Sequence, residues 1–302
     1  MRIAFLFPGQ GSQRPGMASA WLPQAADRFT QLADATGLDL PTLADDPAAC
    51  ERTAVAQPAM FATSLAALDA LANEGMTPDV VAGHSLGEAT AAVAAGVLDP
   101  TEGARFVAER GRAMGLACQG SPGAMVAVLR LPLDTIELAL EATPEVQVAN
   151  HNAPGQTVIA GPNDAIEQAV PRLEGAGGRI RRLPVEGPFH TPAMAPAMVA
   201  ADHALKRMNV AEPDVPLVTG RSGQVLTTGE QVRTALVEGI LAPVRWVDVQ
   251  SQLVELGVEL AVEVGSAGVL AAMARRTVPD LRVISVATPD DLHQLAATPA
   301  AA

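Results

Sequence analysis

Apolar and polar positions alternate in blocks along residues 1–118, where short apolar runs are followed by longer stretches with helical spacing. The run Ile3-Ala4-Phe5-Leu6-Phe7 predicts a first buried strand, and Val80-Val81-Ala82 predicts a second. Helices are predicted over 57–74, 88–95 and 100–117. Strands that alternate with helices in this way indicate a parallel sheet covered on both faces.

The rhythm changes near Ser121-Pro122-Gly123, after which two strands follow each other directly. The predicted elements are strand 124–131, helix 134–141, strands 146–151 and 156–160, helix 164–175 and strand 179–185. This β-α-β-β-α-β order is that of a ferredoxin-like unit. We therefore expect an inserted ferredoxin-like subdomain at 119–190, between the two parts of a main domain at 1–118 and 191–302.

Helices and a few strands alternate again beyond the inserted segment. The predicted elements are helix 192–208, strand 215–219, helices 230–240 and 246–256, strand 258–264, a helix from about 267 and a loose Ala- and Pro-rich tail after Thr288. The predicted fold class is therefore α/β, with a parallel sheet in the main domain and a smaller inserted subdomain.

Composition and charge disfavour several classes of protein. The 302 residues are 49% hydrophobic and 18% charged, as expected for an ordered globular protein. A net charge of −13 argues against nucleic acid as a partner, because phosphates require clustered Lys and Arg. Cys50 and Cys118 have no metal-ligand spacing and suggest reduced thiols in a cytoplasmic protein. The first apolar run is too short for a signal sequence or a membrane span.

The pentapeptide Gly83-His84-Ser85-Leu86-Gly87 matches G-x-S-x-G and stands between a predicted strand and a predicted helix. In that context it predicts a nucleophile elbow, which holds Ser85 at a helix N-terminus and makes the main domain α/β-hydrolase-like. Glycines permit the tight turn. The alternative is a glycine-rich turn without chemistry, since Gly and Ser are common in turns.

A serine hydroxyl becomes a good nucleophile only when a base takes its proton, so the five histidines are candidates. His190 lies in the Gly- and Pro-rich loop 186–192, where the chain re-enters the main domain and can face a cleft between the subdomains. A structural role for it stays open. His84 adjoins Ser85, but neighbours at an elbow point apart, so bracing of the turn is its favoured role.

Arg110 interrupts an apolar stripe on the predicted helix 100–117. It follows Phe106 by four positions and precedes Met114 by four. A buried guanidinium needs an anion, because leaving it unpaired costs several kcal/mol. Two partners remain open: a carboxylate of the protein, or a substrate carboxylate held by two parallel hydrogen bonds.

Further motifs extend over nearly the whole chain. With the elbow and its Glu88, they are Phe7-Pro8-Gly9-Gln10-Gly11-Ser12-Gln13, Asn152-Ala153-Pro154-Gly155-Gln156, Val158-Ile159-Ala160-Gly161, Phe189-His190, Pro243-Val244-Arg245-Trp246 and Glu263-Val264-Gly265. The set resembles malonyl-CoA:acyl carrier protein transacylases and the related acyltransferase domains of fatty acid and polyketide synthases. The first of these motifs together with the elbow is highly specific.

The resemblance implies a role for each matching residue. Ser85 would be the acylated nucleophile, His190 its base, and Arg110 the ligand of the free malonyl carboxylate. The remaining substrate-binding set comprises the backbone N–H groups of Gln10 and Leu86 as an oxyanion hole, together with Phe189, His84 and Asn152. We expect the ring of Phe189 to crowd a branch on the acyl α-carbon.

The sequence also departs from the family pattern. Many members have Gln and Asn where this chain has Gly239 and Ala242, and a backbone carbonyl there orients the histidine. Any residue can supply a carbonyl, so only the placement of the orienting group is in question. Gly187-Pro188 replaces the His-Ala that often precedes Phe-His in malonyl-selective polyketide domains, which leaves the acyl preference open.

By this resemblance the protein is an acyltransferase that moves malonyl from malonyl-CoA, through a Ser85 acyl-enzyme, to the phosphopantetheine thiol of an acyl carrier protein. Fatty acid and polyketide synthesis are both open as pathways. We expect a monomer with no metal or cofactor of its own and no nucleic acid or membrane partner. The alternatives are a trans-acting enzyme for a substituted malonyl unit, an editing acyl-thioester hydrolase and a non-catalytic docking module.

Overall fold

The computed structural model describes residues 1–265 and 268–296. Its strands are β1 (Ile3–Phe7), β2 (Val80–Gly83), β3 (Gly123–Leu129), β4 (Gln147–Ala153), β5 (Gln156–Pro162), β6 (Arg179–Arg182), β7 (Leu217–Val218), β8 (Val225–Leu226), β9 (Leu260–Val264) and β10 (Arg282–Val286). Its α-helices are α1 (Leu22–Thr36), α2 (Leu40–Asp45), α3 (Thr53–Asn73), α4 (Gly87–Ala94), α5 (Pro100–Gly120), α6 (Leu133–Leu140), α7 (Asn163–Gly175), α8 (Ala195–Leu205), α9 (Gly229–Glu238), α10 (Trp246–Glu255), α11 (Val269–Thr277) and α12 (His293–Ala296).

The larger sheet has six strands in the order β10-β9-β1-β2-β7-β8. Neighbouring strands are parallel, apart from β8, which pairs antiparallel with β7. Phe5 in the centre of β1 pairs with Val81 on one side and Val262 on the other. The predicted parallel sheet is therefore confirmed, and the antiparallel edge strand is an addition that the sequence analysis did not contain.

Both faces of this sheet are covered by helices, as its uninterrupted apolar strands require. Alternate residues of β1 point to opposite faces. Phe5 and Phe7 join the core that includes residues of α3 and α5, whereas Ala4 and Leu6 join the core of α10 and α11. By length and hydropathy α3 would also qualify as a membrane span, but 83% of its apolar window is buried inside the fold.

The smaller sheet has four antiparallel strands in the order β4-β5-β3-β6. Numbered within the inserted segment this is the order 2-3-1-4, which the predicted β-α-β-β-α-β arrangement produces. Helices α6 and α7 pack on one face through Ile136, Leu140, Ile166 and Leu173. The predicted fold class is confirmed; the boundaries at 119 and 190 stay a prediction.

Several predicted elements differ from the structure. Helix 57–74 begins earlier, at Thr53, and contains Pro58 in its interior. Helix 192–208 is shorter, because Pro192–Met194 form a 3₁₀ turn before α8. The strand at 215–219 contains only two residues. The predicted start of the last helix, at 267, and the tail from 297 lie outside the described residues. The loose tail predicted after Thr288 is wrong for its described part, where a 3₁₀ turn at Pro289–Leu292 is followed by α12. The elements α1, α2, β8 and β10 were also not predicted.

Candidate active site

Ser85 lies on a tight turn between the end of β2 and the start of α4, and its backbone is in the left-handed region with φ 53°. A Cβ added at Gly83 would lie 2.0 Å from the carbonyl carbon of Gly87, and one added at Gly87 would lie 2.0 Å from the Phe7 carbonyl oxygen. Only glycine fits either position. The turn is thus the predicted elbow, and strain of this kind at a non-glycine residue is typical of functional sites.

His190 faces the serine across the boundary between the two sheets. Its Nε2 lies 2.9 Å from Oγ of Ser85. Its Nδ1 lies 2.8 Å from the carbonyl oxygen of Ala242 and 3.1 Å from that of Gly239. Because carbonyls only accept hydrogen bonds, Nδ1 carries the proton and Nε2 is free to accept the serine proton. Two carbonyls orient the ring, at both positions where the sequence departs from the family pattern.

The environment keeps this imidazole neutral. Burial, followed by the positive charge of Arg110, lowers the pKa of His190 from its ordinary 6.5 to about 3. The ring is therefore in its basic form at neutral pH. The geometry and the protonation state together allow His190 to take the proton of Ser85.

Arg110 is 4% exposed and has two hydrogen-bond partners, neither of them charged. Its Nη1 donates to Oε1 of Gln57 at 2.6 Å, and its Nη2 donates to Oγ of Ser85 at 3.2 Å. Within the described chain no carboxylate lies within 4 Å of this guanidinium. Burial lowers the pKa of Arg110 to about 10, so it stays charged at neutral pH. Gln57 was not among the predicted site residues, although it is the one polar residue of α3 between Ala54 and Ala62.

Gln10 and Leu86, whose backbone N–H groups were predicted to form the oxyanion hole, lie in the same part of the fold as the serine. Both residues line the same cavity as Ser85, and Leu86 is the residue before the first turn of α4. Among the residues that the structure describes, neither N–H donates a hydrogen bond. The side chain of Gln10 donates to Oγ1 of Thr53 at 3.3 Å, which fixes the loop after β1. The two N–H groups are thus available to an oxyanion.

His84 points away from the serine, as the elbow predicts. Its Nε2 lies 2.8 Å from Oδ1 of Asn152 on β4, and its ring centroid lies 5.3 Å from that of Trp246. A Cβ added at Gly9 would lie 2.4 Å from the His84 carbonyl oxygen, so the loop after β1 packs tightly on the elbow. His84 and Asn152 therefore connect the elbow to the small sheet.

A cavity of about 260 Å³ lies between the two sheets and collects these groups. Seven of the eight predicted site residues line it, and Arg110 reaches it through its contact with Ser85. Apolar side chains from the small sheet and from α11 complete the wall; they include Met125, Ala127, Val158, Leu270 and Met273. Phe189 is 5% exposed and lies beside His190 in this wall.

A serine on an elbow, a neutral histidine and two available N–H groups define an acyl-transfer site on an α/β fold. The model of the family described as "Acyl transferase domain" matches residues 4–292, and the chain belongs to that family. It is 36% identical to the malonyl CoA-acyl carrier protein transacylase of Bacillus subtilis, over 97% of this chain and 95% of that one.

Solved structures agree with this assignment. The acyl-carrier-protein-S-malonyltransferase of Bartonella henselae superimposes with a TM-score of 0.93 at 35% identity, over 98% of both chains. A malonyl-transacylase in complex with its type II polyketide synthase acyl-carrier protein superimposes equally well, with a TM-score of 0.93 at 32% identity. That match covers 97% of this chain and 98% of the other.

Proposed function

We propose that this protein is an acyl carrier protein S-malonyltransferase, which moves malonyl from malonyl-CoA to the phosphopantetheine thiol of an acyl carrier protein. The observation that carries the proposal is the buried charge of Arg110, which has no carboxylate partner among the described residues and lies 3.2 Å from the nucleophile. The free carboxylate of a malonyl thioester would supply that partner.

In the first half-reaction Oγ of Ser85 attacks the thioester carbonyl while Nε2 of His190 takes the hydroxyl proton. The oxygen that gains negative charge lies between the N–H groups of Gln10 and Leu86. The C–S bond then breaks, and the CoA sulfur leaves with the proton from His190. The carbonyls of Ala242 and Gly239 stabilise the imidazolium that exists between these two transfers.

In the second half-reaction the carrier's phosphopantetheine thiol replaces CoA. Neutral His190 takes the thiol proton, and the sulfur attacks the malonyl ester on Ser85. The C–O bond breaks and Ser85 recovers the proton from His190. All of these roles belong to groups of this chain, so the proposal includes no bound cofactor; phosphopantetheine arrives as part of the carrier.

The same arrangement argues against two of the alternative functions. A hydrolase for monocarboxylic acyl chains would have no use for a buried guanidinium beside its nucleophile. A docking module would not need a neutral histidine in contact with a strained serine. Malonyl CoA-acyl carrier protein transacylases and a polyketide biosynthesis protein both occur among the relatives, so the product could enter either pathway.

The proposal predicts a malonyl-enzyme that intact-protein mass spectrometry can detect. The wild-type chain incubated with malonyl-CoA should gain one malonyl mass, and Ser85→Ala should gain none. His190→Ala should be acylated about 10²-fold or more slowly, the usual effect of losing a general base.

Two outcomes would contradict this assignment. Malonyl mass on Ser85→Ala would place the nucleophile elsewhere, and an undiminished rate in His190→Ala would place the base elsewhere. His203→Ala is the matched control, because that exposed histidine lies on α8, outside the cavity lining, and its loss should leave the rate unchanged.

A further inference from the structure

Glu88 is a buried carboxyl group that the proposed mechanism does not use. It is the second residue of α4, and its backbone N–H donates to the Ser85 carbonyl oxygen at 3.0 Å. The residue is 5% exposed, although ionised carboxyl groups are rarely buried without a charged partner. Its burial three positions after the nucleophile in the sequence therefore has a cost in free energy.

The carboxyl group is only partly satisfied by neutral donors. The Thr219 hydroxyl and the backbone of Gly220 favour its ionised form and lower its pKa, but by less than burial raises that pKa. Its Oε2 lies 3.7 Å from the positions that a Cβ would take at Gly220 and at Gly239, so the carboxyl group is close to the backbone of both residues. Its Oε1 has no hydrogen-bond partner in the described chain. Burying a carboxylate with one oxygen that has no hydrogen-bond partner costs free energy, and this cost favours the protonated, neutral form.

Arg110 is the buried charge that acts on this group. The positive charge of Arg110 lowers the pKa of Glu88, and the negative charge of Glu88 raises the pKa of Arg110. The two groups are nevertheless not within ion-pair distance of each other. Burial is the larger effect and raises the pKa of Glu88 to about 7. Glu88 therefore occurs in both its protonated and its ionised form near neutrality, and only the ionised form acts on the charge of Arg110.

Two arginines, Arg110 and Arg221, act on the charge of Glu88. Arg221 also favours the ionised form and is itself paired with Glu238, at the end of α9. Arg110 has a pKa of about 10, and His190 a pKa of about 3. Burial lowers the pKa of His84 from its ordinary value. Of Glu88, Arg110 and His190, Glu88 is thus the one whose pKa lies between 6 and 8.

We infer that Glu88 is a specificity-determining residue: its ionised form balances part of the charge of Arg110 in the free protein without forming an ion pair, and it takes up a proton from solvent when a dicarboxylic acyl thioester places its own carboxylate on Arg110. The inference rests on the proposed function. A second negative charge beside Arg110 would be repelled by ionised Glu88. Glu88 avoids this repulsion by becoming neutral while its side chain stays in place.

The sign of the pH effect follows from linkage. Below pH 7 Glu88 is neutral and Arg110 is free to attract the malonyl carboxylate; above pH 7 Glu88 is ionised and competes with it. Malonyl binding should therefore weaken by roughly tenfold from pH 6 to pH 8, as expected for a single group of this pKa. Acetyl-CoA has no second carboxylate and should not show the effect.

The test uses calorimetric binding of malonyl-CoA and acetyl-CoA to Ser85→Ala, which binds without turnover. We expect the ratio of the malonyl to the acetyl Kd to rise roughly tenfold from pH 6 to pH 8, as linkage to one group requires. The titrating phosphate of CoA is common to both ligands and cancels in the ratio. Buffers of different ionisation enthalpy should show proton uptake for malonyl-CoA beyond that for acetyl-CoA.

Glu88→Gln in the same background keeps the shape of the side chain and removes its charge. It should hold the ratio at its pH 6 value throughout, whereas Glu109→Gln, a partly exposed control whose carboxylate pairs with Arg112, should keep the pH dependence. A flat ratio in Ser85→Ala, or an unchanged dependence in Glu88→Gln, would overturn the inference. If Glu88→Gln does not fold, the pH series on Ser85→Ala decides alone. A wild-type chain that malonyl-CoA does not acylate would instead refute the proposed function.

Discussion

At the scale of the single residue, the proposed function makes Arg110 the group that sets the acyl preference. Its removal takes away the partner of the malonyl carboxylate but leaves Ser85, His190 and the two N–H groups in place. We expect Arg110→Ala to lose malonyl acylation by about 10²-fold or more, the scale on which a buried charged hydrogen bond is lost. Acetyl acylation should hold steady or rise, and mass spectrometry of the acyl-enzyme measures both.

The control for this change is two residues further along α5. Arg112 is exposed and pairs with Glu109 at 2.7 Å, so Arg112→Ala should leave both acylation rates unchanged. A parallel fall of malonyl and acetyl acylation in Arg110→Ala would mean that the guanidinium is structural, and the dicarboxylate preference would then need another explanation.

The sequence identifies residues that interrupt a regular pattern more readily than residues that complete a contact. Ser85 stands out through the elbow motif, and Arg110 through its place in an apolar stripe. Gln57 interrupts an apolar stretch of α3, and Glu88 is the charged residue in the otherwise mostly apolar α4, which was a usable signal. What they touch depends on how α3, α4 and α5 pack, and helix packing is not contained in the local pattern.

At the scale of elements, glycines in α5 set how closely this helix approaches α3. A Cβ added at Gly111 would lie 2.9 Å from the Thr53 carbonyl oxygen and 3.4 Å from Cβ of Gln57. Gly111 therefore lets α5 come close enough for the adjacent Arg110 to reach Gln57. The position of the guanidinium depends on a residue that has no side chain of its own.

Gly111→Ala should force the two helices apart. We expect a loss of about 1–3 kcal/mol in the free energy of unfolding, typical of overpacking, and slower malonyl acylation. Gly120→Ala is the matched control, because a Cβ there meets nothing within 4 Å and an alanine should be neutral or stabilise by up to about 1 kcal/mol. Urea unfolding of both variants measures the effect; equal stabilities would show that the contact with Thr53 relaxes without cost.

The elements that sequence patterns predicted are those with a long or repeated signal. Buried runs such as β1 and β9 and the inserted β-α-β-β-α-β unit were found. The predicted strand at 215–219 contains only the two residues of β7. Strand β8 also has two residues, too few for a period, and it exists only because it pairs with β7. The helix α1 has buried Phe29 and Leu32 at helical spacing and was predictable, although it was not predicted.

At the scale of the whole molecule, charge poses a problem for carrier binding. The chain has a net charge of −13, and acyl carrier proteins are usually acidic too. Arg179, Arg181 and Arg182 are exposed on β6, an edge strand of the small sheet. The exposed Arg276 on α11 donates to Oε1 of Gln156 and so connects the main domain to the small sheet. These arginines either attract the carrier or only contact solvent. The rate of malonyl transfer to the carrier distinguishes the two possibilities.

We predict that the arginines of β6 steer the carrier against the overall repulsion. The rate of malonyl transfer to the carrier should then fall as salt increases, because screening shortens the range of the attraction. The double reversal Arg181→Glu with Arg182→Glu should lower that rate by about tenfold or more, within the range known for steering, and should leave acylation by malonyl-CoA unchanged. Lys206→Glu with Arg207→Glu makes the same change in net charge on an exposed part of the main domain, after α8. If both double variants slow the carrier reaction equally, net charge and not the β6 arginines controls the encounter; if salt has no effect, steering plays no part in it.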